Sequence, residues 1–316
     1  MISILLLTGG VIAVLIGANF LVDGASSLAK KLQVSDLVIG LTVVAFGTST
    51  PELTVSVFSS MQGEVDLALG NVVGSNLFNT MVILGIAAMI YPLQVHSNTI
   101  WKEIPMSLLA ALVLLALVSD RWLDGAANPG ISRAEGLALL GFFSIFLYYT
   151  FLVAKNTPPK ELHNVVKTYP VYLSLLMVAG GLILLVVGGR WIVIGAVEIA
   201  ERLGMSKSII ALTIVAAGTS IPELATSAVA AFKKNADIAV GNVVGSNIFN
   251  IFMILGVSAV IKPLGLGSIT ILDISLVAVI SLVLFIKSYN YTVSRVEGGL
   301  LLLMYVAYVV YLILQS

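Results

Sequence analysis

The sequence contains no cysteine and only two histidines, and only 10% of its residues are charged. Without cysteine the chain has no disulfide, no thiol nucleophile and no cysteine metal site. Soluble domains carry roughly 25% charged residues, so the low charge content excludes an ordinary soluble protein. His96 and His163 both lie in polar stretches, where we expect them to be solvated. The formal net charge is zero, which gives no indication of an acidic or basic partner.

The sequence is instead rich in long apolar runs. Hydrophobic residues make up 59% of it, and the mean hydropathy is +1.09. A helix needs about 20 mostly apolar residues to cross a bilayer. Only helices and closed barrels satisfy their backbone in lipid, and barrel strands would be shorter and alternating. The sequence therefore predicts an all-α polytopic membrane protein with ten transmembrane helices. The runs lie near residues 2–22, 37–61, 67–91, 104–119, 136–154, 171–196, 208–232, 238–261, 270–286 and 299–314.

The first run lacks a basic start and a small-residue cleavage site, so we interpret it as a mature helix rather than a signal peptide. Basic residues near the ends of the runs favour an outside N-terminus, because cytoplasmic loops carry an excess of Lys and Arg. With that orientation the inside positions hold ten basic residues and the other positions hold six. Ten spans then place the C-terminus outside as well.

Two sequence motifs occur twice at a constant separation. Gly47–Glu52 (GTSTPE) returns as Gly218–Glu223 (GTSIPE), and 218 − 47 gives an offset of 171. Gly70–Asn79 returns as Gly241–Asn250 at the same offset, and the two decapeptides differ only at one Leu-to-Ile position.

Five predicted spans separate equivalent positions, and because five is odd the two copies must cross the membrane in opposite directions. Inverted repeats of this kind place substrate near the membrane midplane, at discontinuous helices. We expect a first five-helix repeat at 1–154, a cytoplasmic linker at 155–170 and a second five-helix repeat at 171–316. Spans four, five, nine and ten contain little polarity and are predicted to be scaffold.

A proline interrupts each copy of the shorter motif directly before a glutamate. Pro51 has no N–H for the carbonyl of Gly47, and its ring pushes the chain away from the preceding turn. We therefore expect carbonyls near Ala45 to Thr48 to be freed, which is tolerated in a membrane only where they line a cavity or meet a partner. Glu52 would begin the second half-helix, where the helix dipole favours a negative charge.

The motifs together offer carboxylate, amide and hydroxyl oxygens, with no sulfur and no imidazole. Glu52 follows Thr48 by four residues and Asn79 follows Ser75 by four, so each pair shares a helix face. An irregular all-oxygen set suits Ca²⁺, and also Na⁺, better than Zn²⁺ or copper. A single intramembrane Ser, Thr or Asn more often joins helices than binds a ligand. Two buried glutamates at duplicate positions indicate function.

Asp23 and Asp273 have no counterpart in the other half and are expected to be surface or capping groups. Glycines 10, 17 and 24 match glycines 181, 188 and 195 at the offset of 171, and small residues let helices approach closely. We interpret these glycines as packing positions, with a sliding interface as an additional role.

The two glutamates also suggest why transport would be coupled. Carboxylates about 6 Å apart at an effective dielectric of about 20 repel by roughly 3 kcal/mol. An empty, doubly ionised site is therefore a poor species to carry across a membrane. Either cations or protons must fill it, which favours obligatory exchange.

Taken together, the paired motifs Gly47–Glu52 with Gly70–Asn79 and their copies closely resemble the alpha-repeats of the calcium/cation antiporter superfamily, in particular prokaryotic sodium/calcium exchangers. The resemblance covers both halves. It implies two inverted five-helix repeats, alternating access with the first and sixth helices sliding across a rigid body, and electrogenic exchange with more than two Na⁺ per Ca²⁺.

The resemblance also implies roles for individual residues of this sequence. Glu52 and Glu223 would hold Ca²⁺ with oxygens of Thr48 and Thr219, and Asn79 and Asn250 would complete the middle of the site. The residues implied in Na⁺ sites are Ala45, Ser49, Ser75, Ala216, Ser220 and Ser246. No cofactor is implied, and the partners are Ca²⁺, Na⁺ and the lipid bilayer.

Several alternatives remain open at this point. Some relatives have Asp at the position of Asn250, and in potassium-dependent animal exchangers that Asp is tied to K⁺ use, so Asn250 favours K⁺ independence. Protonation of the glutamates would make a Ca²⁺/H⁺ exchanger. An intramembrane hydrolase would need a base and an oxyanion donor set, whereas the chain has symmetric duplicate sets. A channel would conduct without a counter-ion.

Overall fold

The computed structural model describes residues 2–95, 99–120, 125, 130–156, 168–202, 216–267, 269–288 and 290–315. Within these residues, eight helices are long and apolar enough to cross a membrane, and a bent helix pair makes a ninth candidate. The chain is a multi-span helical membrane protein. His96, His163, most of the predicted linker and the start of the predicted seventh run lie outside the described residues.

The first half begins with a long straight helix and continues with a broken one. Helix α1 spans Ile2–Leu32. Helices α2 (Asp36–Thr48) and α3 (Thr50–Gln62) form the bent pair, and the axes change direction by 47° between them. Helix α4 runs from Val65–Leu77 through a π-helical segment, Phe78–Ile83, into a last α-helical stretch that ends at Ile90. Helix α5 spans Ile104–Val118 after a π turn at Thr99–Glu103, and α6 spans Arg133–Asn156.

The second half repeats this order. Helix α7 spans Val171–Arg202, and the short helices α8 (Ala216–Thr219) and α9 (Ile221–Phe232) correspond to α2 and α3. Helix α10 runs from Ala236–Ile248 through a π-helical segment, Phe249–Leu255, and ends at Ile261. Helices α11 and α12 span Ile271–Ser288 and Arg295–Gln315.

Two small antiparallel strand pairs, absent from the sequence prediction, join the halves. Strand β1 (Leu93–Gln94) pairs with β4 (Thr292–Val293), and β2 (Gly130–Ile131) pairs with β3 (Leu264–Gly265). Each pair joins a loop of the first half to a loop of the second half. The two halves are therefore tied together at their loops as well as through their helices.

Helices α4 and α10 form the centre of the molecule and are buried along most of their length, whereas α6 and α12 expose most of theirs. Two glycine–carbonyl contacts bring α1 and α7 together. A Cβ on Gly10 would lie 2.7 Å from the carbonyl oxygen of Gly188, and one on Gly17 would lie 2.8 Å from that of Gly181. The partner number falls as the number in α1 rises, so the two helices are antiparallel. The packing interpretation of these glycines agrees with this geometry.

The predicted scaffold helices contain buried polar pairs, which corrects the expectation of little polarity there. The Tyr149 hydroxyl donates to the buried Glu103 at 2.5 Å, and the Tyr308 hydroxyl donates to the buried Asp273 at 2.9 Å. Asp273 also accepts from the main-chain N–H of Thr270, so it is the capping group that the sequence predicted. These acids were not recognised as counterparts because Glu103 and Asp273 are 170 residues apart rather than 171.

We predict that Gly10→Ala destabilises the protein by about 1–3 kcal/mol, because the added methyl would press the two helix backbones apart. Gly9→Ala is the matched control, since a Cβ there would lie 3.8 Å from the nearest atom, in the ring of Trp191. Thermal unfolding of the purified protein in detergent measures both. Equal unfolding temperatures for the two variants would contradict the close helix contact.

Candidate ion-binding site

Both breaks occur where the motif places its proline. Helix α3 begins at Thr50 with Pro51 in its first turn, and α9 begins at Ile221 with Pro222 in its first turn. Proline is tolerated there because the first N–H groups of a helix have no intrahelical partner. Glu52 and Glu223 each lie in the first turn of the new helix and are buried. The sequence predicted this placement.

The main-chain oxygens at the breaks are less free than the sequence predicted. The carbonyl of Ala45 accepts from the N–H of Ser49 at 3.0 Å and from the Thr48 hydroxyl at 3.4 Å. It is therefore hydrogen-bonded in this conformation, because Ser49 closes the last turn of α2 before the chain bends. In the second half, the N–H of Ser220 donates to the carbonyl of Ala217 at 3.2 Å. The serine at each break is therefore hydrogen-bonded to the short helix that precedes it.

Each glutamate is hydrogen-bonded by a serine of the other half. The Ser220 hydroxyl donates to Oε1 of Glu52 at 2.9 Å, and the Ser49 hydroxyl donates to Oε1 of Glu223 at 2.9 Å. The same serines contact the next motif serines, since Ser220 lies 3.2 Å from Ser75 and Ser49 lies 3.0 Å from Ser246, between hydroxyl oxygens. The duplicated motifs therefore build one site and not two.

Two asparagines outside the predicted set support the breaks. Nδ2 of Asn71 donates to the main-chain oxygen of Glu52 at 3.3 Å and to the Ser56 hydroxyl at 3.0 Å. Asn242 makes the equivalent bonds to Glu223 at 3.3 Å and to Ser227 at 2.9 Å.

The same two asparagines also connect the halves. Their Oδ1 atoms accept from the threonine of the other half's break, from Thr48 to Asn242 at 3.1 Å and from Thr219 to Asn71 at 3.3 Å. The Thr48 hydroxyl oxygen also lies 3.0 Å from the carbonyl oxygen of Val44 in its own helix, so its single hydrogen is shared among its acceptors.

Four buried oxygens at symmetric positions have no hydrogen-bond donor among the described residues. They are Oε2 of Glu52, Oε2 of Glu223, Oδ1 of Asn79 and Oδ1 of Asn250. All four side chains are about 1% exposed. A buried acceptor without a partner costs about 1–3 kcal/mol, and more when it is charged. We call these four atoms the acceptor cluster.

The chemistry of this cluster suits a hard cation. Carboxylate, amide and hydroxyl oxygens are ligands that Ca²⁺ and Na⁺ accept, and no thiolate competes because the chain has no cysteine. Within the described ranges, no group of three or more His, Asp or Glu side chains is arranged to hold a metal. A cation bound here would therefore meet two carboxylates and a larger number of neutral oxygens.

Comparison with known families decides what kind of protein this is. The family described as "Sodium/calcium exchanger protein" matches residues 2–152 and 173–314, which is most of the chain. The chain belongs to this sodium/calcium exchanger family. Members are membrane transporters, so the prediction of a transporter and not an enzyme is confirmed, as is the predicted family.

Full-length relatives support this membership. The chain is 36% identical over 312 residues to the putative antiporter CaxA of Alkalimonas amylolytica, covering 95% of each chain. It is 32% identical over 351 residues to the sodium/calcium exchanger MaX1 of Methanosarcina acetivorans, covering 98% of each. Among solved structures, the sodium-calcium exchanger NCX_Mj superposes with a TM-score of 0.85 at 31% identity, covering 98% of this chain and 99% of that one.

In the described part of this exchanger-family chain, the predicted site side chains lie in three hydrogen-bonded groups. One contains Glu52, Ser75, Thr219 and Ser220, the second contains Glu223, Ser246, Thr48 and Ser49, and the third contains Asn79 and Asn250. Ala45 and Ala216 lie just before the two breaks and can contribute only main-chain oxygens. The side chain of Ala216 is outside the described part of the chain. Sequence reasoning missed Asn71, Asn76, Asn242 and Asn247. They belong to the repeated decapeptides. Because the two decapeptides are identical at all but one position, repetition alone could not distinguish these asparagines from their neighbours.

We predict that Asn71→Leu lowers the free energy of unfolding by about 1–3 kcal/mol, because the carbonyl of Glu52 and the Ser56 hydroxyl lose a buried donor. Thermal unfolding of the purified protein measures the change. Asn19→Leu is the control, because Asn19 is exposed and, among the described residues, its amide donates to the carbonyl of Leu15 in the same helix. An Asn71→Leu protein as stable as the control would contradict the supporting role.

Proposed function

We propose that the chain exchanges Na⁺ for Ca²⁺ across the membrane by alternating access, and that both ions bind at the acceptor cluster. The observation that carries the proposal is the set of four buried oxygens that lack donors. A cation satisfies all four at once, whereas water inside such a site would still leave two carboxylates facing each other. The names of MaX1 and NCX_Mj, both sodium/calcium exchangers, support the choice of ions.

The positions of the oxygen atoms suggest a role for each residue in ion binding. Glu52 and Glu223 would provide charge for Ca²⁺, with Asn79 and Asn250 between them. The hydroxyl groups and the main chain at the breaks would complete the Na⁺ sites. The residues proposed to contact ions are Glu52, Glu223, Thr48, Thr219, Asn79, Asn250, Ser75, Ser246, Ser49, Ser220, Ala45 and Ala216.

The exchange would be obligatory for an electrostatic reason. Moving two facing carboxylates through the membrane interior without a counter-charge is strongly unfavourable. The protein would change its facing readily with Ca²⁺ or several Na⁺ bound, and rarely when empty. Each serine donates to the glutamate of the other half, so a relative movement of the halves would change both carboxylates together.

We further propose ten transmembrane helices in two inverted five-helix repeats. Loops joined as strands must lie on the same face of the membrane. Between β1 and β4 the chain contains five candidate spans, α5, α6, α7, α10 and α11. Five crossings would place the strands on opposite faces, so one more crossing is needed, and the segment that contains α8 and α9 supplies it.

The second strand pair supports the same count. Between β2 and β3 lie α6, α7 and α10, which are three candidate spans, and an even number is again required. With the segment around α9 as a span, the total is ten, and the repeats are 1–154 and 171–316 with a cytoplasmic linker between them. The bias of basic residues supports N- and C-termini outside.

We predict that Glu52→Gln and Glu223→Gln each reduce Ca²⁺ transport by about a hundredfold or more, because even outer-sphere losses at metal sites cost about 10–100-fold. Uptake of ⁴⁵Ca²⁺ into proteoliposomes measures the flux. Glu64→Gln is the matched control, since Glu64 is an exposed glutamate just after α3. Transport near the wild-type rate in either site variant would refute the assigned site.

The counter-ion is tested in the same vesicles, loaded with Na⁺, with K⁺ or with only a pH gradient, at clamped voltage. We expect uptake to be driven by internal Na⁺ alone, because the cluster is made of hard oxygens of the kind that bind Na⁺. Uptake driven only by the pH gradient would make the counter-ion a proton. Ca²⁺ flux without any counter-ion would indicate a channel.

We predict that Asn250→Asp changes the dependence of transport on Na⁺, K⁺ or H⁺ more than it changes folding, because it adds a third carboxylate to the cluster. Ion titrations of uptake, with thermal unfolding in parallel, measure the two effects. Unchanged ion dependence would mean that Asn250 does not determine selectivity.

A further inference from the structure

Four asparagines and one threonine form a buried network between α4 and α10. Nδ2 of Asn79 donates to Oδ1 of Asn247 at 3.2 Å, and Nδ2 of Asn250 donates to Oδ1 of Asn76 at 2.9 Å. Behind them, Nδ2 of Asn247 donates to the Thr80 hydroxyl at 2.8 Å, and Nδ2 of Asn76 donates to the main-chain oxygen of Asn247 at 3.4 Å. All five side chains are buried.

An amide side chain presents an acceptor at one end and two donors at the other. Asn79 and Asn250 both use their NH₂ groups as donors in this network, so their Oδ1 atoms point away from it. Those two oxygens belong to the acceptor cluster. If either amide were reversed, an NH₂ group would face the place where a cation binds. The orientation of these two amides therefore determines whether the cluster attracts or repels a cation.

From this geometry we infer that Asn76, Asn247 and Thr80 are positioning residues, which aim the amide oxygens of Asn250 and Asn79 into the cation site. The inference rests on the proposed function, since it concerns the same site. None of the three is required to touch the ion. Each acts through the amide that it orients.

The two halves fix their amides by different means. On the Asn250 side the chain of bonds ends at a main-chain carbonyl, which only accepts. Asn76 must therefore turn its N–H groups to that carbonyl and its oxygen to Asn250, and the direction is locked. This anchor does not depend on any side chain beyond Asn76.

On the Asn79 side the chain of bonds ends at a side chain, the Thr80 hydroxyl. The position equivalent to Thr80 is Ile251 (80 + 171 = 251), which has no hydroxyl. If Thr80 lost its oxygen, Nδ2 of Asn247 would be buried without an acceptor. Rotation of Asn247 and Asn79 would restore the bond between them and turn the NH₂ of Asn79 towards the glutamates. The cation would then meet a donor where it now meets an oxygen.

The test is equilibrium binding of Ca²⁺ to the purified full-length protein by calorimetry. We expect Thr80→Val, which replaces the hydroxyl by a methyl of similar size, to raise the Kd about tenfold, the scale of outer-sphere effects at metal sites. Thr80→Ser should restore binding to within about twofold because it keeps the acceptor. Ile251→Val is the matched control at the equivalent position and should leave the Kd unchanged.

Binding and thermal stability together separate positioning from packing. A packing role would lower the unfolding temperature of Thr80→Val and of Thr80→Ser without a selective change in Kd. If Thr80→Val does not fold, Thr80→Ala removes the same hydroxyl and is expected to weaken binding equally. The positioning role alone would be overturned if the wild-type protein binds Ca²⁺ and a folded variant without the Thr80 hydroxyl binds it equally well. Wild-type protein that binds no Ca²⁺ would overturn the proposed function, and the positioning role with it.

Discussion

Buried acceptor oxygens without donors are the feature on which the rest of the structure depends. In the hydrocarbon core of a bilayer a buried polar group must be satisfied by the protein or by a cavity. Among the described residues, Glu52, Glu223, Asn79 and Asn250 nevertheless each keep one oxygen without a donor. The prolines place the glutamates in first helical turns, and the π-helical segments at Phe78–Ile83 and Phe249–Leu255 contain the two asparagines. Departures from regular helix therefore coincide with the site, as π-helical turns often do at functional positions.

Hydrogen bonds across the repeat explain why two motifs make a single site. Ser49 and Ser220 each donate to the glutamate of the other half. Thr48 and Thr219 each donate to the asparagine that supports the break in the other half. Neither half could satisfy its own polar groups alone. The glycine contacts between α1 and α7 and the two strand pairs hold the halves together at the periphery. Duplication thus supplies the proposed ligands, and mutual satisfaction of buried polar groups stabilises the arrangement of the two copies.

Much of this could be predicted from the sequence, for identifiable reasons. Apolar run length predicted the eight long helices and the bent pair that the described residues contain, proline chemistry predicted the breaks, and the cost of a buried carboxylate singled out Glu52 and Glu223. Helix periodicity placed Thr48 on one face with Glu52, yet the structure gives Glu52 a serine from the other half, because periodicity contains no information across repeats. The supporting roles of Asn71 and Asn242 depend on which carbonyl lies opposite, which no local pattern encodes. The Glu103–Tyr149 pair escaped prediction because Glu103 and Asp273 are 170 residues apart and Tyr149 and Tyr308 are 159 apart, so neither separation equals the repeat offset of 171.

The departures from symmetry are as informative as the symmetry itself. If the halves were identical, exchanging their conformations would produce a state of equal energy, facing the other side of the membrane. Alternating access by inverted repeats starts from that equality. In this chain the position equivalent to Thr80 is Ile251, and Asn76 donates to a main-chain carbonyl whereas Asn247 donates to a hydroxyl. These differences lie within the buried asparagine network beside the proposed ligands. An energy difference between the two facing states, and a difference in their cation affinity, would therefore arise from the same few buried side chains.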